Sequence, residues 1–357
     1  MIEEFLKSEK EVIDEELKLY FDQLNSYEDE ILIQDFISQL ERFVLNKKAK
    51  RIHPILLIAA FKGIVNPIYI DDQIDHIRKV SLAVELLHSG YIIHDDLIDN
   101  DEIRRGEPTF HIQLKNEINK VYKNLEKSQK EELLNSYGRD MSILGGTQGY
   151  LLGLKIIKSS KFQNDLKLSA INEYSTAMDL LMKGQIIEEY MNYHNITMSL
   201  EQYLNIAEMQ RASLLEKSTT IGAILAKGNI HYQIEPLSIA MHMMGQAYAI
   251  RDDILDMKED IKSKKKKIIY IFAVQNTDEE QSKLLNQIYQ KDSLSKNDIK
   301  EVLQIFGETN AIAVAEHFSK NLVSQAKNNL RDIYPDLNKE QKNFFNDFCD
   351  FIYMRDF

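Results

Sequence analysis

The segment His94-Asp95-Asp96-Leu97-Ile98-Asp99 decides the prediction of the fold, because it places three acidic residues inside an apolar stretch. Residues three and four positions apart lie on one face of a helix, so the three carboxylates share one stripe. The preceding stretch Val80–Leu87 repeats apolar residues at helical spacing, which indicates a buried helix. Carboxylates are costly in such surroundings unless they are paired or bound to a cation. The segment therefore predicts a cation site on a buried helix.

The same D-D-x-x-D pattern recurs as Asp252-Asp253-Ile254-Leu255-Asp256, again after an apolar helix. We expect the two clusters to face each other across a helix bundle and to form a cage of six carboxylates. Hard oxygen ligands of this kind suit Mg²⁺, which often bridges to substrate phosphates. Arg104 and Arg105 follow the first cluster closely, and their forked guanidinium donors suit a diphosphate. The alternatives are acidic surface helices that arise by chance and salt bridges from these arginines to Asp101 or Glu102.

The composition predicts an all-α protein. The chain has 357 residues with only 13 glycines and 5 prolines, which is too few turn residues for a β-sandwich or β-propeller. The net charge of −12 argues against a nucleic-acid partner, because such a protein needs a basic surface. The single cysteine, Cys349, excludes an intramolecular disulfide and a cysteine-rich zinc site, and it fits a reduced cytoplasmic compartment. The apolar run Ile55–Phe61 is far shorter than the roughly 20 residues of a membrane span, so no transmembrane segment is expected.

Helical periodicity predicts a single domain over residues 1–357, with a core at about 50–267 and peripheral helices at 1–46 and 280–353. The predicted helices lie near 2–24, 29–46, 53–64, 73–100, 109–135, 137–158, 165–193, 199–228, 234–257, 265–275, 280–291, 296–306, 309–332 and 339–353.

The two acidic motifs resemble those of a known enzyme family. DDLIDNDEIRRGEPTFH (residues 95–111) resembles the first aspartate-rich motif of the trans-isoprenyl diphosphate synthases, or polyprenyl synthetases. GQAYAIRDDILD (residues 245–256) resembles the second motif of that family. The resemblance implies a helix bundle of the isoprenoid synthase type with a central apolar cavity, built as a homodimer. It also implies condensation of an allylic diphosphate with isopentenyl diphosphate, with about three Mg²⁺ ions in each site.

The resemblance assigns roles to individual residues. It makes magnesium ligands, and hence catalytic residues, of Asp95, Asp96, Asp99, Asp252, Asp253 and Asp256. Arg104, also catalytic, would contact the allylic diphosphate, and Arg105 the isopentenyl diphosphate. Isopentenyl diphosphate would also be bound by Lys50 and His88. Further substrate-binding positions implied in this way are His53, Gln185 and Lys265, while Glu188 matches the acidic residue of the same motif as Gln185.

Several positions depart from the family pattern. His53 stands where an arginine that binds isopentenyl diphosphate is expected, and a histidine cannot make the same bidentate contact. Gln210 and Arg211 replace a Lys-Thr pair, and Ala249 replaces a glutamine. Because none of these changes touches the six aspartates, we predict a divergent but active enzyme.

The residues just before the first cluster predict the length of the product. Gly90 and Tyr91 would form the floor of the pocket beneath the growing prenyl chain. A bulky residue beside a glycine predicts a product of about fifteen to twenty-five carbons, most simply geranylgeranyl diphosphate.

Other functions stay open at this point. The departures could mark a non-catalytic or regulatory subunit of a heteromeric synthase, although both clusters are intact. A class I terpene cyclase would also ionise an allylic diphosphate, but it needs no isopentenyl diphosphate site. A helical scaffold without a site is the least specific alternative, and two clusters of acids on apolar helices argue against it.

Overall fold

The computed structural model describes residues 2–122, 126–194 and 196–354, and it is 83% helical. The all-α prediction is confirmed. No helix of the described ranges is long and apolar enough to span a membrane. The chain forms two compact units, of which unit one comprises residues 1–178 and 221–228 and unit two comprises residues 179–220 and 229–357. The single domain of 1–357 stays a prediction, as do its core at 50–267 and the central cavity.

Unit one contains the first half of the chain. Its helices are α1 (Ile2–Tyr27), α2 (Ile31–Val44), α3 (Ile52–Ile64), α4 (Ile70–Ile98), α5 (Phe110–Val121), α6 (Lys127–Ser159) and the first half of α7 (Asn164–Tyr193). Helix α3 is the most apolar element of this unit, since every residue from Pro54 to Phe61 is buried. Helix α4 packs along α6 and carries the first acidic motif at its carboxyl end.

Unit two carries the second motif on α10. The remaining helices are α8 (Leu200–Ala207), α9 (Ser213–Leu225), α10 (Glu235–Leu255), α11 (Met257–Lys262), α12 (Ile268–Asn276), α13 (Glu279–Tyr289), α14 (Lys296–Glu308), α15 (Ala311–Arg331) and α16 (Lys339–Met354). Helices α10 and α15 pack along each other. Helix α12 lies in an apolar cluster with α14 and with the start of α15. Hydrogen-bonded capping boxes begin α8 at Ser199, α13 at Asp278 and α14 at Ser295.

The predicted helix 109–135 is wrong at its centre. Helix α5 ends at Val121 and α6 begins at Lys127, while residues 123–125 lie outside the described residues. The predicted helix 199–228 is interrupted by a π-helical turn at Glu208–Ala212. Such a turn inserts one extra residue into a helix, which the spacing of apolar residues does not reveal.

A short antiparallel hairpin was not predicted. Its strands are β1 (Ile103–Arg104) and β2 (Glu107–Pro108), and Ile103 pairs with Pro108. The turn residues Arg105 and Gly106 have φ angles of 56° and 77°. Positive φ at both central residues is the type I′ geometry that suits a two-residue hairpin, and glycine adopts it without strain.

Candidate active site

The first carboxylate cluster (Asp95, Asp96 and Asp99) lies at the carboxyl end of α4. Asp96 is fully buried, Asp95 is half-buried and Asp99 is exposed. The helix ends because Asn100 adopts a left-handed conformation with φ 56°, and the amide of Asp101 donates a hydrogen bond to the carbonyl of Asp96 at 2.9 Å. The carboxyl end of a helix carries partial negative charge. Three carboxylates at this place therefore favour a bound cation.

Arg104 supplies a positive charge to this cluster. Its Nε donates to Asp96 Oδ1 at 2.6 Å, and its Nη2 lies 3.2 Å from Asp95 Oδ2 and 3.4 Å from Asp101 Oδ2. Within the described residues, the buried Oδ2 of Asp96 accepts no hydrogen bond. Burial raises the pKa of Asp96 to about 6, and Arg104 only partly opposes this shift. Asp96 is thus a buried carboxylate with one oxygen still to be satisfied, as a metal ligand would be.

The hairpin turn separates the two arginines. Arg104 ends β1 and reaches the first carboxylate cluster, whereas Arg105 occupies the turn and is half-buried. Burial lowers the pKa of Arg105, and Glu85 on α4 opposes that shift. The two consecutive arginines therefore lie in different surroundings, and their contacts with two different diphosphates stay predictions. The alternative of a salt bridge from Arg104 to Asp101 is present too, but it accompanies the contacts to Asp95 and Asp96.

The second carboxylate cluster (Asp252, Asp253 and Asp256) lies at the carboxyl end of α10. Asp253 is buried, Asp252 is half-buried and Asp256 is exposed, which repeats the order of the first cluster. The Tyr203 hydroxyl donates to Asp253 Oδ2 at 2.6 Å, and Lys267 Nζ lies 3.1 Å from Asp253 Oδ1. Both oxygens of this buried carboxylate are therefore bonded.

Lys267, in the lysine run after the second cluster, places its charge beside this cluster. Lys267 also lies 3.3 Å from Asp260 Oδ1, and burial raises the pKa of Asp260 to about 6 while Lys267 opposes the shift. The predicted Lys265 is exposed and lines a small cavity together with Asp253 and Lys267. Its role in substrate binding stays a prediction. Sequence reasoning missed Lys267 and Tyr203, because their positions depend on how α8 and the loop after α11 pack against α10.

Gln185 and Glu188 on α7 share one partner. Gln210 Nε2 donates to Glu188 Oε2 at 2.7 Å and to Gln185 Oε1 at 3.2 Å. Gln210 lies in the π-helical turn before α9. Gln210, which departs from the family pattern, thus contacts Gln185 and Glu188, which resemble it. Of the other two departures, Arg211 is exposed and Ala249 is buried. Substrate binding by Gln185 stays a prediction.

The residues that the resemblance assigns to isopentenyl diphosphate surround the start of α3. Lys50 is exposed, whereas the rings of His53 and His88 are half-buried, with centroids 4.4 Å apart. Burial, with a smaller contribution from nearby Arg105, lowers the pKa of His53 to about 4, although Glu85 opposes the shift. His53 is therefore a neutral imidazole at neutral pH and not a charged substitute for arginine.

Arg51 and Glu85 form a buried ion pair that sequence reasoning missed. Arg51 Nη1 contacts Glu85 Oε1, its Nε donates to Asp14 Oδ1 at 2.7 Å, and its Nη2 donates to the Val44 carbonyl at 2.7 Å. Glu85 is a lone acid in the apolar stretch Val80–Leu87, and this was the available signal. The pair fixes the start of α3 against α4.

Gly90 and Tyr91 are both buried on α4. A side chain at Gly90 would approach the carbonyl oxygen of Gly146 on α6 to 2.6 Å and Tyr150 to 2.9 Å. The glycine is therefore required by the close packing of α4 on α6. A role of Gly90 and Tyr91 in product length stays a prediction.

Comparison with known proteins identifies the family. Residues 34–306 match the model of the polyprenyl synthetase family. The chain belongs to the polyprenyl synthetase family. It is an enzyme, a trans-prenyl diphosphate synthase, so the predicted family and the predicted enzymatic activity are confirmed.

Individual relatives cover nearly the whole chain. The short chain isoprenyl diphosphate synthase of Methanocaldococcus jannaschii is 27% identical over 98% of this chain and 96% of that protein. The geranylfarnesyl diphosphate synthase of Natronomonas pharaonis is 23% identical over 88% of this chain and 89% of its own. Among solved structures, geranylgeranyl pyrophosphate synthase from Corynebacterium glutamicum, complexed with isoprenyl diphosphate and magnesium, aligns with a TM-score of 0.85 at 21% identity, covering 98% of this chain and 99% of that one. This last likeness supports the fold.

Proposed function

We propose that this polyprenyl synthetase condenses an allylic diphosphate with isopentenyl diphosphate to make a trans-prenyl diphosphate of about fifteen to twenty-five carbons, most simply geranylgeranyl diphosphate. One observation carries the proposal. Two D-D-x-x-D clusters end two long helices, and each has a buried central aspartate beside a cation. A homodimer in the cytoplasm is part of the proposal by family resemblance.

The donors of the two clusters fit Mg²⁺. They are carboxylate oxygens, the ligands that Mg²⁺ prefers. Within the described residues the buried Oδ2 of Asp96 accepts no hydrogen bond, so this oxygen would be available to coordinate an ion. We propose that Asp95, Asp96 and Asp99 hold ions for the allylic diphosphate, and that the second carboxylate cluster holds ions as well. Bound Mg²⁺ would stabilise the diphosphate as it leaves the allylic carbon.

The remaining steps use residues of unit one. Arg104 places its permanent positive charge beside the allylic diphosphate, while isopentenyl diphosphate is bound by Arg105, Lys50 and His88. The double bond of isopentenyl diphosphate attacks the allylic carbocation, and the departed diphosphate takes the proton that is lost. No protein nucleophile is required, and the buried Tyr91 helps to keep water from the carbocation.

One assay separates this proposal from its alternatives. Purified protein is incubated with Mg²⁺, labelled isopentenyl diphosphate and allylic primers of increasing length, and the products are sized. Incorporation of label into longer prenyl diphosphates is the expected result. A cyclic hydrocarbon made without isopentenyl diphosphate would favour a terpene cyclase, and no turnover with any primer would favour a non-catalytic subunit.

Product length is tested at Tyr91. If its side chain forms the floor of the pocket, Tyr91→Ala should shift the products by one or more isoprene units towards longer chains. Ile93→Ala is the matched control, because this buried neighbour projects from a different side of α4 and should leave the product length unchanged. An unchanged product distribution in Tyr91→Ala would remove Tyr91 as the floor.

A further inference from the structure

Three potential metal ligands meet between α3 and α4, apart from the two carboxylate clusters. His53 lies in the first turn of α3, and Glu85 and His88 are three residues apart on one face of α4. One nitrogen of each histidine and one carboxylate oxygen of Glu85 lie within 4.8 Å of one another. Atoms that bind one tetrahedral zinc ion at about 2.1 Å lie about 3.4 Å apart, so side-chain rotations that bring these three atoms closer together would complete the site.

One carboxylate oxygen of Glu85 is available to bind a cation. The residue is 1% exposed, and its Oε1 contacts Arg51. Its Oε2 is buried and has no hydrogen-bond partner among the residues that the structure describes. An unsatisfied buried carboxylate oxygen is costly, and a cation is one means of satisfying it. Arg51 does not consume the whole charge of Glu85, because it is also paired with Asp14 at 2.7 Å.

We propose that His53, Glu85 and His88 bind one divalent transition-metal ion of the zinc type. Two imidazoles and one carboxylate are a ligand set that suits zinc and leaves a fourth position open. The same set does not suit Mg²⁺, which prefers oxygen ligands in octahedral geometry. The site therefore differs in chemistry from the two carboxylate clusters.

The surroundings are compatible with metal binding. His53 and His88 are both half-buried, so each residue is partly open to solvent. Arg105 lies near Glu85 and His53 and opposes a second positive charge, while an anion at the open position would offset this repulsion. If the proposed function holds, that anion is the diphosphate of isopentenyl diphosphate, and the metal ion supplies the charge that His53 lacks.

The experiment measures metal binding by the full chain without substrate. Protein freed of metal is titrated with Zn²⁺ against a chromophoric chelator in an excess of Mg²⁺, which occupies the carboxylate clusters. We expect one Zn²⁺ per chain with a Kd below about 1 μM, and a loss of at least about thirty-fold in affinity for His53→Ala. His76→Ala is the control, since this histidine lies on α4 about three turns before His88. The His76→Ala variant should bind Zn²⁺ as the wild type does.

A second variant protects the test against misfolding. His53→Arg places at this position the residue type that the family resemblance expects, and it should retain helical circular dichroism while losing the metal. Substitution by Co²⁺ gives a second measurement, because a visible absorption band of four- or five-coordinate cobalt should appear in the wild type and disappear in both His53 variants. Wild-type protein that retains no Zn²⁺ in excess Mg²⁺, or His53 variants that bind it equally well, would overturn the proposal. Prenyl transfer is assayed separately, so failure of the metal site leaves the proposed function standing.

Discussion

The two carboxylate clusters have the same sequence pattern and the same order of burial, yet their central aspartates are satisfied differently. Asp253 has both oxygens bonded, one by the Tyr203 hydroxyl and one by Lys267. Asp96 has one oxygen bonded by Arg104 and one buried oxygen without a partner in the described residues. The chain after each cluster differs as well, since a hairpin follows the first and helix α11 follows the second. The first cluster is thus the one that a metal ion would stabilise more.

The largest expected effect tests whether the two clusters serve one reaction. Asp96→Asn and Asp253→Asn should each lower kcat on the order of a thousand-fold, because each removes a negative ligand from the proposed ion array. If both clusters hold the same array, the double variant should be little worse than either single variant. Steady-state kinetics at saturating Mg²⁺ measures this, with Asp140→Asn at an exposed position of α6 as the control. Fully multiplicative losses would indicate that the clusters act independently.

The next effect concerns the hydroxyl that only the second cluster has. Tyr203→Phe should raise the Mg²⁺ concentration needed for half-maximal activity on the order of ten-fold, because a hydrogen bond to a charged buried group contributes about 1.5 to 3 kcal/mol. The pKa of Tyr203 is raised by burial and by Asp253, so the hydroxyl remains a donor at working pH. Tyr174→Phe is the matched control, since that buried hydroxyl donates to the Tyr150 carbonyl at 2.8 Å. Equal Mg²⁺ requirements in the two variants would contradict this role of Tyr203.

A third prediction reverses the usual direction of a mutation. Without divalent ions, Asp96→Asn should stabilise the protein by about 1 kcal/mol, because it removes a buried charge with one unsatisfied oxygen. Asp253→Asn should destabilise it by about 1 to 2 kcal/mol, because it breaks an ion pair and weakens a hydrogen bond that are both formed. Urea unfolding at pH 8 in a chelator provides the free energies. Destabilisation by both substitutions to the same extent would show that the clusters do not differ as described.

The smallest effect depends on how the two cluster helices are held. Glu85 on α4 forms an ion pair with Arg51, and the arginine keeps its charge at all working pH values. On α10, His242 lies 3.0 Å from Glu216, and the charge of a histidine depends on pH. The hydrogen bond to Glu216 raises the pKa of His242, although burial opposes the shift, Glu208 adds to it and Lys217 lowers it.

Because the folded pKa lies above the unfolded one, the stabilisation from His242 is complete below about pH 6.5 and is lost as the pH rises through the folded pKa. His242→Asn should therefore cost about 1 kcal/mol at pH 6 and less at pH 9, as measured by thermal unfolding. His231→Asn removes an exposed histidine of a similar His–Glu pair and should change stability little at either pH. An equal cost of His242→Asn at both pH values would rule out the charged pair.

Glu216 acts at the acidic end of the same pair. Burial alone would raise its pKa, but the hydrogen bonds from His242 and Lys217 overcome that effect and lower the pKa to about 2. Its contribution to stability is therefore present above about pH 4.5 and is lost as the pH falls towards 2. The pair of His242 and Glu216 therefore stabilises the protein most between about pH 4.5 and the folded pKa of His242.

The all-α class, the family and the residue types of the two clusters can be predicted from the sequence alone. These follow from local patterns, because helical periodicity and the D-D-x-x-D spacing are properties of short segments. Most helix bounds were predicted for the same reason, and the bounds failed where residue spacing carries no signal, as at the π-helical turn Glu208–Ala212 and at the break after Val121.

The partners of each acid, in contrast, depend on how distant segments pack in the folded chain. Tyr203 is 50 residues from Asp253 in sequence and Arg51 is 34 residues from Glu85, and no local pattern joins such pairs. The hairpin at Arg105–Gly106 likewise directs Arg104 to the first carboxylate cluster through a backbone turn and not through helical spacing. The charge state and the hydrogen bonds of a buried group depend on packing against distant segments. For this reason the sequence predicts the two clusters, while the fold makes the hydrogen bonding of Asp96 and Asp253 different.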